Sequence, residues 1–108
     1  MTTETSASWL RLHGVQLELV ERGRGRPILW LHGEDGLDPE APFLDRLAQH
    51  GRVIAPSHPG FGHSPEADNI DTVDDLAYLY LDLLAERDAR DAVVIGASLG
   101  GWIAGSWP

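Results

Sequence analysis

The sequence predicts an α/β fold in which buried parallel strands alternate with amphipathic helices. Three short runs, at 28–31, 53–55 and 92–95, are continuously apolar, which is typical of parallel strands covered on both faces. Helical patterns fill the two stretches between these runs. The order strand, helix, strand, helix, strand predicts right-handed crossovers and a parallel sheet.

The residues before the first run are predicted to form a β-hairpin. Apolar and polar residues alternate on both sides of His13-Gly14, as expected of two half-buried strands. The apolar positions are Leu10, Leu12, Val15, Leu17 and Leu19. The glycine- and proline-containing segment 23–27 then ends the pattern.

The two helical stretches begin with different signals. Asp38-Pro39 predicts an N-cap followed by a proline at the first helical position. Thr72 and Asp75 resemble a capping box at the start of the second helix. A stripe at helical spacing follows, which predicts packing against the sheet; it consists of Val73, Leu76, Ala77, Tyr80, Leu83 and Leu84.

Composition excludes several classes of partner. The 17 acidic residues outnumber the 8 basic ones and give a formal charge of −9, so we expect no nucleic acid and no membrane surface as a partner. The chain contains no cysteine, which excludes disulfides and thiolate metal sites. Neither a secretory signal nor a run long enough to span a bilayer is found, which predicts a cytoplasmic protein.

The most informative motif is Gly96-Ala97-Ser98-Leu99-Gly100, directly after the third strand and before a helical pattern. The G-x-S-x-G spacing predicts a sharp turn that strains the serine backbone, and the flanking glycines remove the clashes that side chains would make. The N–H of Leu99 would then lie at a helix N-terminus, where it can stabilise an oxyanion. The alternative is an ordinary glycine-rich turn, which the strand-turn-helix context disfavours.

Two further loops follow the other predicted strands. The first strand ends in His32-Gly33-Glu34, and a glycine there can turn the Glu34 N–H toward the serine as a second oxyanion donor. Taken alone, this motif would equally be a plain turn. The second strand leads into the segment 57–65, whose glycines and prolines predict a tight loop at the same edge of the sheet.

Together, Leu31-His32-Gly33, the segment 58–64 and the segment 96–101 resemble the α/β-hydrolase superfamily, in its esterase, lipase and carbon–carbon hydrolase branch. The resemblance covers about residues 9–104. It implies a partial α/β-hydrolase fold, with a hairpin followed by parallel strands and crossover helices, that ends at the nucleophile elbow.

The resemblance also implies functional residues. Ser98 would be the nucleophile, and the backbone N–H groups of Glu34 and Leu99 would form the oxyanion hole. It implies a small-molecule substrate, no cofactor and no metal. Family branches that dehalogenate or open epoxides place an aspartate at the nucleophile position, so Ser98 argues against them.

The catalytic acid and histidine of that family come after later strands, and nothing in this sequence corresponds to them. We therefore expect one incomplete domain that is inactive alone, with a polar tail at 1–8, a family-like region at 9–104 and an atypical end at 105–108. Such an end is typical of a truncation, a shifted reading frame or half of a split enzyme. The alternative is a non-catalytic interaction module that self-associates or accepts a complementary chain at a free strand edge.

Three histidines lie on the side where Ser98 is expected. A substitute base among His32, His58 and His63 would make the chain a self-sufficient small hydrolase. The favoured interpretation is that His32 supports its loop and that His58 and His63 lie on the loop surface.

Overall fold

The computed structural model describes residues 7–70 and 72–108, so most of the predicted polar tail lies outside the described residues. Within them, five strands form one sheet: β1 (Ala7–Leu12), β2 (Val15–Arg22), β3 (Pro27–Leu31), β4 (Arg52–Pro56) and β5 (Val93–Gly96). The helices are α1 (Pro42–Ala48), α2 (Val73–Glu86) and α3 (Leu99–Gly105). None of these helices is long and apolar enough to cross a bilayer.

The strands lie in the order β1-β2-β4-β3-β5. Strands β4, β3 and β5 run parallel to one another, while β1 and β2 form the predicted hairpin, and β2 pairs antiparallel with β4. The sheet is therefore mixed, and the predicted α/β class is confirmed.

Each face of the sheet is covered by its own apolar layer. Under α2 and α3, Tyr80 and Ile103 are buried against sheet residues that include Leu17 and Leu29. On the other face, Leu44 of α1 packs with a smaller set formed by Val20, Val53 and Ala55. Because successive strand residues point to opposite faces, the continuous apolar runs supply both layers at once.

The two helix starts turn out differently. The capping box at α2 is confirmed, because the Asp75 N–H donates to Thr72 Oγ1 and the Thr72 N–H donates to Asp75 Oδ2. The predicted cap at Asp38 is wrong: α1 begins three residues later, at Pro42. Asp38 instead accepts bonds from the N–H groups of Glu40 and Ala41, which closes a turn ahead of the helix.

Strand β5 lies at one edge of the sheet. It pairs with β3 on one side, and no described residue pairs with its other side. Val93, Val94 and Ile95 are each half-buried. Trp107, in the segment expected to be atypical, packs against the same apolar layer as α2.

We expect this edge to drive association, because unpaired backbone groups on an apolar strand are a template for another chain. Val93 lies across from Ile28 on the face away from α3, where a lysine can extend its ammonium group into water. Sedimentation equilibrium should show a mass that rises with concentration for the wild type and rises less for Val93→Lys. Tyr78→Lys, at an exposed position on α2, is the charge control. Equal masses for the two variants would contradict the expectation.

Candidate active site

The candidate site lies where the carboxyl ends of β3, β4 and β5 meet. Strand β3 is between the other two, and the chain leaves β3 toward α1 on one face but leaves β5 toward α3 on the other. Diverging loops of this kind open a crevice at the strand ends, which is where α/β sheets bind ligands. His32, His58 and Ser98 all follow these three ends.

Ser98 occupies the strained turn that the motif predicts. It is the N-cap of α3 with φ 56° and ψ −114°, a region that non-glycine residues rarely adopt. The residue is exposed, so its hydroxyl is open to solvent at the end of β5. The adjoining Leu99 N–H is the first of the helix and therefore has no partner within it.

Close packing explains the flanking glycines. A Cβ atom at Gly96 would overlap the carbonyl oxygen of Gly100, and a Cβ atom at Gly100 would overlap the carbonyl oxygen of Leu31. Both collisions involve backbone atoms, which have little freedom to move. The turn after β5 therefore closes only when position 96 lacks a side chain, and it fits against the end of β3 only when position 100 lacks one.

The loop after β3 touches this turn. A Cβ atom at Gly33 would lie 3.0 Å from the Ala97 oxygen and 3.1 Å from Ser98 Cβ, so the Gly33 backbone lies directly against the serine. Glu34 follows and is exposed, and among the described residues its N–H donates to no backbone carbonyl. The structure thus brings the backbone of Gly33, the residue before Glu34, against Ser98.

The interpretation of His58 as a surface residue is wrong. His32 and His58 are both about 1% exposed and lie with ring centroids 3.8 Å apart. The His58 N–H donates to His32 Nε2 at 3.0 Å, while His58 Nε2 lies 2.8 Å from the His32 carbonyl oxygen. His58 Nδ1 lies 2.6 Å from the hydroxyl of buried Tyr80, a partner that sequence reasoning missed because its place in the apolar stripe hides its polar end.

These partners assign one proton to each ring. His32 Nε2 accepts, so its proton is on Nδ1, which donates to the Gly33 oxygen at 2.6 Å. His58 donates through Nε2 and accepts from the Tyr80 hydroxyl through Nδ1. Burial, with a smaller contribution from the nearby His32 charge, lowers the pKa of His58 to about 4. Burial also lowers the pKa of His32, although its bond to Gly33 opposes the shift.

Glu18 holds the loop after β4. Its Oε1 accepts from the His63 N–H at 3.2 Å and its Oε2 lies 3.0 Å from His63 Nδ1, although the His63 side chain itself is 81% exposed. The Glu18 N–H donates to Ser64 Oγ, which donates to the Ser57 oxygen. The sequence carries no local signal for this anchor, because Glu18 occupies a polar position of the alternating pattern in β2.

Opposing effects act on the Glu18 carboxylate. Burial alone would raise its pKa, but the hydrogen bonds and charge of His63, with a bond from Ser57, outweigh burial and lower it. The carboxylate therefore stays charged and holds the loop by charge-assisted bonds.

No described group of three His, Asp or Glu side chains converges closely enough to hold a metal ion. The polar groups at the strand ends are instead a serine hydroxyl, backbone N–H groups and two neutral imidazoles. This set suits attack by an oxygen nucleophile and stabilisation of an anion.

Because Gly100 packs so closely against the Leu31 carbonyl oxygen, a single added methyl group at this position should destabilise the fold strongly. Gly100→Ala should lower the free energy of unfolding by about 3 kcal/mol or more, because backbone must move to admit the Cβ atom. Gly105→Ala is the matched control, since nothing lies within 4 Å of its Cβ position at the end of the same helix. Urea titrations should show the control unchanged or slightly more stable; similar losses at both sites would contradict the packing argument.

The depressed pKa of His58 predicts acid sensitivity. In the unfolded chain His58 takes up a proton near pH 6.5, whereas in the folded chain it does so only near pH 4. The contribution of His58 to the free energy of unfolding is therefore fully present above pH 6.5 and is lost as the pH falls toward 4. Between pH 7 and pH 4.5 this linkage removes about 2 kcal/mol from the free energy of unfolding. His58→Gln should flatten the dependence relative to the exposed-residue control His50→Gln; equal slopes would exclude His58 as its source.

Comparison with known proteins adds family evidence to this geometry. The model of the family described as "Alpha/beta hydrolase family" matches residues 12–106. A Mycobacterium phage D29 protein, provisionally assigned as a non-heme haloperoxidase, is 37% identical over 90 residues, which are 82% of this chain and 32% of that protein. A haloalkane dehalogenase of Agrobacterium fabrum is 38% identical over 60 residues, 51% of this chain and 18% of that protein. The chain thus spans a third or less of the length of these curated relatives.

Solved structures agree. The epoxide hydrolase CorEH superposes with a TM-score of 0.82 at 25% identity, covering 95% of this chain and 37% of that chain. An N-acyl homoserine lactone degrading enzyme superposes with a TM-score of 0.79 at 28% identity, covering 90% and 38%. The sheet order, the strained turn after β5 and these matches lead to one conclusion: the chain belongs to the alpha/beta hydrolase family and forms a partial α/β-hydrolase fold.

Proposed function

We propose that this chain is the N-terminal part of a serine hydrolase that acts on a small-molecule ester or a similar carbonyl substrate through an acyl-enzyme. The observation that carries the proposal is Ser98, which is exposed with φ 56° at the start of α3 and lies against the Gly33 backbone. A cytoplasmic location is part of the same proposal.

In this proposal the chain supplies the nucleophile and the oxyanion hole. Ser98 Oγ attacks the carbonyl carbon while its proton passes to a base supplied from outside this segment, and the N–H groups of Glu34 and Leu99 stabilise the negative oxygen that forms. When the carbonyl reforms, the bond to the leaving alcohol breaks, the alcohol takes the proton from the base, and the acyl group stays on Ser98. In other enzymes, one such donor contributes about 10²–10³ in kcat.

The identity of the nucleophile supports acyl transfer over the other chemistries named among similar proteins. Those names include a haloalkane dehalogenase and an epoxide hydrolase as well as a lactone-degrading enzyme. Displacement at a saturated carbon is the reaction of the branches with an aspartate at the elbow. A serine hydroxyl is suited to attack on a carbonyl group, where an oxyanion hole is of use.

The 108-residue chain is proposed to be inactive alone, because neither His32 nor His58 has a free acceptor nitrogen for the Ser98 proton. His32 Nε2 accepts from the His58 N–H, and His58 Nδ1 faces the Tyr80 hydroxyl. His63 Nδ1 is bonded to Glu18, and among the described residues no hydrogen bond joins its Nε2 to Ser98. Loss of the histidine in a comparable triad costs about 10⁶ in kcat, and an oxyanion hole alone leaves about 10³–10⁴ over water.

A second candidate function is that of a non-catalytic module that binds a complementary chain. The observation that favours it is the edge position of β5, which has β3 on one side and no described partner on the other. Association that is weakened by Val93→Lys, together with a Ser98 that stays unreactive in every context, would favour this candidate over the hydrolase.

The first experiment uses a fluorophosphonate probe, which labels activated serines. The purified chain should be labelled no faster than its Ser98→Ala variant, with circular dichroism showing that both are folded. Rapid stoichiometric labelling that Ser98→Ala abolishes would overturn the proposed inactivity.

A chimera tests the hydrolase itself. Residues 9–106 would replace the matching segment of the lactone-degrading relative, which then supplies the acid and the base. We expect rapid labelling that is lost in Ser98→Ala and retained in Ser106→Ala. A folded chimera that stays unlabelled would overturn the proposal.

A further inference from the structure

A buried row of polar rings connects α2 with the loop after β3. It runs from Tyr80 through His58 to His32 and ends at the carbonyl of Gly33. We propose that Tyr80, His58 and His32 are positioning residues, forming a hydrogen-bond relay that sets the direction of the Glu34 N–H. The role of that N–H in oxyanion binding rests on the function proposed above, whereas its orientation does not.

The planar peptide group links the relay to Glu34. The carbonyl of Gly33 and the N–H of Glu34 belong to the same peptide unit, which is trans, so they point in opposite directions. The Gly33 oxygen accepts from His32 Nδ1 at 2.6 Å and from the Gly36 N–H at 3.1 Å. Two donors on one oxygen fix the plane of the unit and therefore the direction of the Glu34 N–H.

The preceding peptide unit is held by the second ring. His58 Nε2 lies 2.8 Å from the His32 oxygen, and the His58 N–H donates to His32 Nε2. This pair of bonds keeps the His32 ring in the rotation from which Nδ1 reaches Gly33. If His58 carried its proton on Nδ1, its Nε2 lone pair would face the His32 oxygen, and the two would repel.

The His32 carbonyl oxygen can only accept, so it sets the tautomer of His58, and Tyr80 supports that tautomer from the other side of the ring. Its hydroxyl is 2.6 Å from His58 Nδ1 and is fully buried. Nε2 of His58 carries the proton that the His32 oxygen accepts, so Nδ1 accepts and the Tyr80 hydroxyl donates. Burial raises the pKa of the phenol, which keeps this donor protonated. Every hydrogen bond of the relay therefore donates in the same direction, from α2 toward the loop after β3.

The matched pair of tyrosines on α2 separates this role from simple packing. Tyr80 is buried and bonded to His58, while Tyr78 is 59% exposed on the same helix. Tyr80→Phe removes only the hydroxyl and keeps the ring that fills the core. Tyr78→Phe removes the same atom where it contacts no relay member.

The test is an NMR measurement on the 108-residue chain. Imidazole nitrogen shifts should show a protonated Nδ1 on His32 and a protonated Nε2 on His58 in the wild type. Residual dipolar coupling of the Glu34 N–H reports its orientation relative to the strands. We expect the Glu34 coupling to change in Tyr80→Phe and to be unchanged in Tyr78→Phe, with strand couplings preserved in both.

Two results would overturn the relay. One is the opposite tautomer on either ring in the wild type, which needs no variant and holds even if Tyr80→Phe does not fold. The other is an unchanged Glu34 coupling in folded Tyr80→Phe. His32→Asn, whose amide can donate near the Nδ1 position, should keep the Glu34 coupling that His32→Ala loses. Probe labelling takes no part here, so this test and that of the hydrolase proposal fail separately.

Discussion

The close approach of the turn after β5 to the end of β3 is the constraint on which the site depends. Gly100 lies so near the Leu31 oxygen that no side chain fits between them, and Gly96 meets Gly100 within the turn itself. This contact forces Ser98 into its positive φ and sets the start of α3. The same contact brings Gly33 against the serine, so one backbone contact assembles elements that are far apart in the chain.

Buried polar groups are the second feature of this edge. His32, His58, Ser57, Ser64 and Glu18 are all almost fully buried, which is costly unless each polar atom has a partner. The two imidazoles satisfy one another and the backbone, while Glu18 collects the donors of the loop after β4. The two histidine rings reduce the cost of burial by staying neutral, whereas the Glu18 carboxylate stays charged and offsets that cost with hydrogen bonds from the loop.

Much of the fold could be predicted from the sequence because the signals were local. Period-two alternation located the hairpin, and the apolar runs located β3, β4 and β5 to within a residue or two. The start of α1 was misplaced because Asp38 can cap either a helix or a turn, and the choice depends on Pro42. The burial of His58 was unpredictable for another reason: its partners, His32 and Tyr80, are 26 and 22 residues away, and no local pattern records such a pairing.

The exposed hydroxyl at the strained turn has an evolutionary consequence. The unusual conformation at residue 98 is imposed by the backbone of its neighbours, and the side chain itself projects into solvent. In the proposed hydrolase, geometry and reactivity are thereby uncoupled, because the turn constrains where the attacking oxygen lies but not which functional group carries it. A lineage that keeps these glycines can replace the hydroxyl with a carboxylate by a substitution at position 98 and leave the rest of the fold unchanged. Such modularity fits the varied reactions named among the similar proteins.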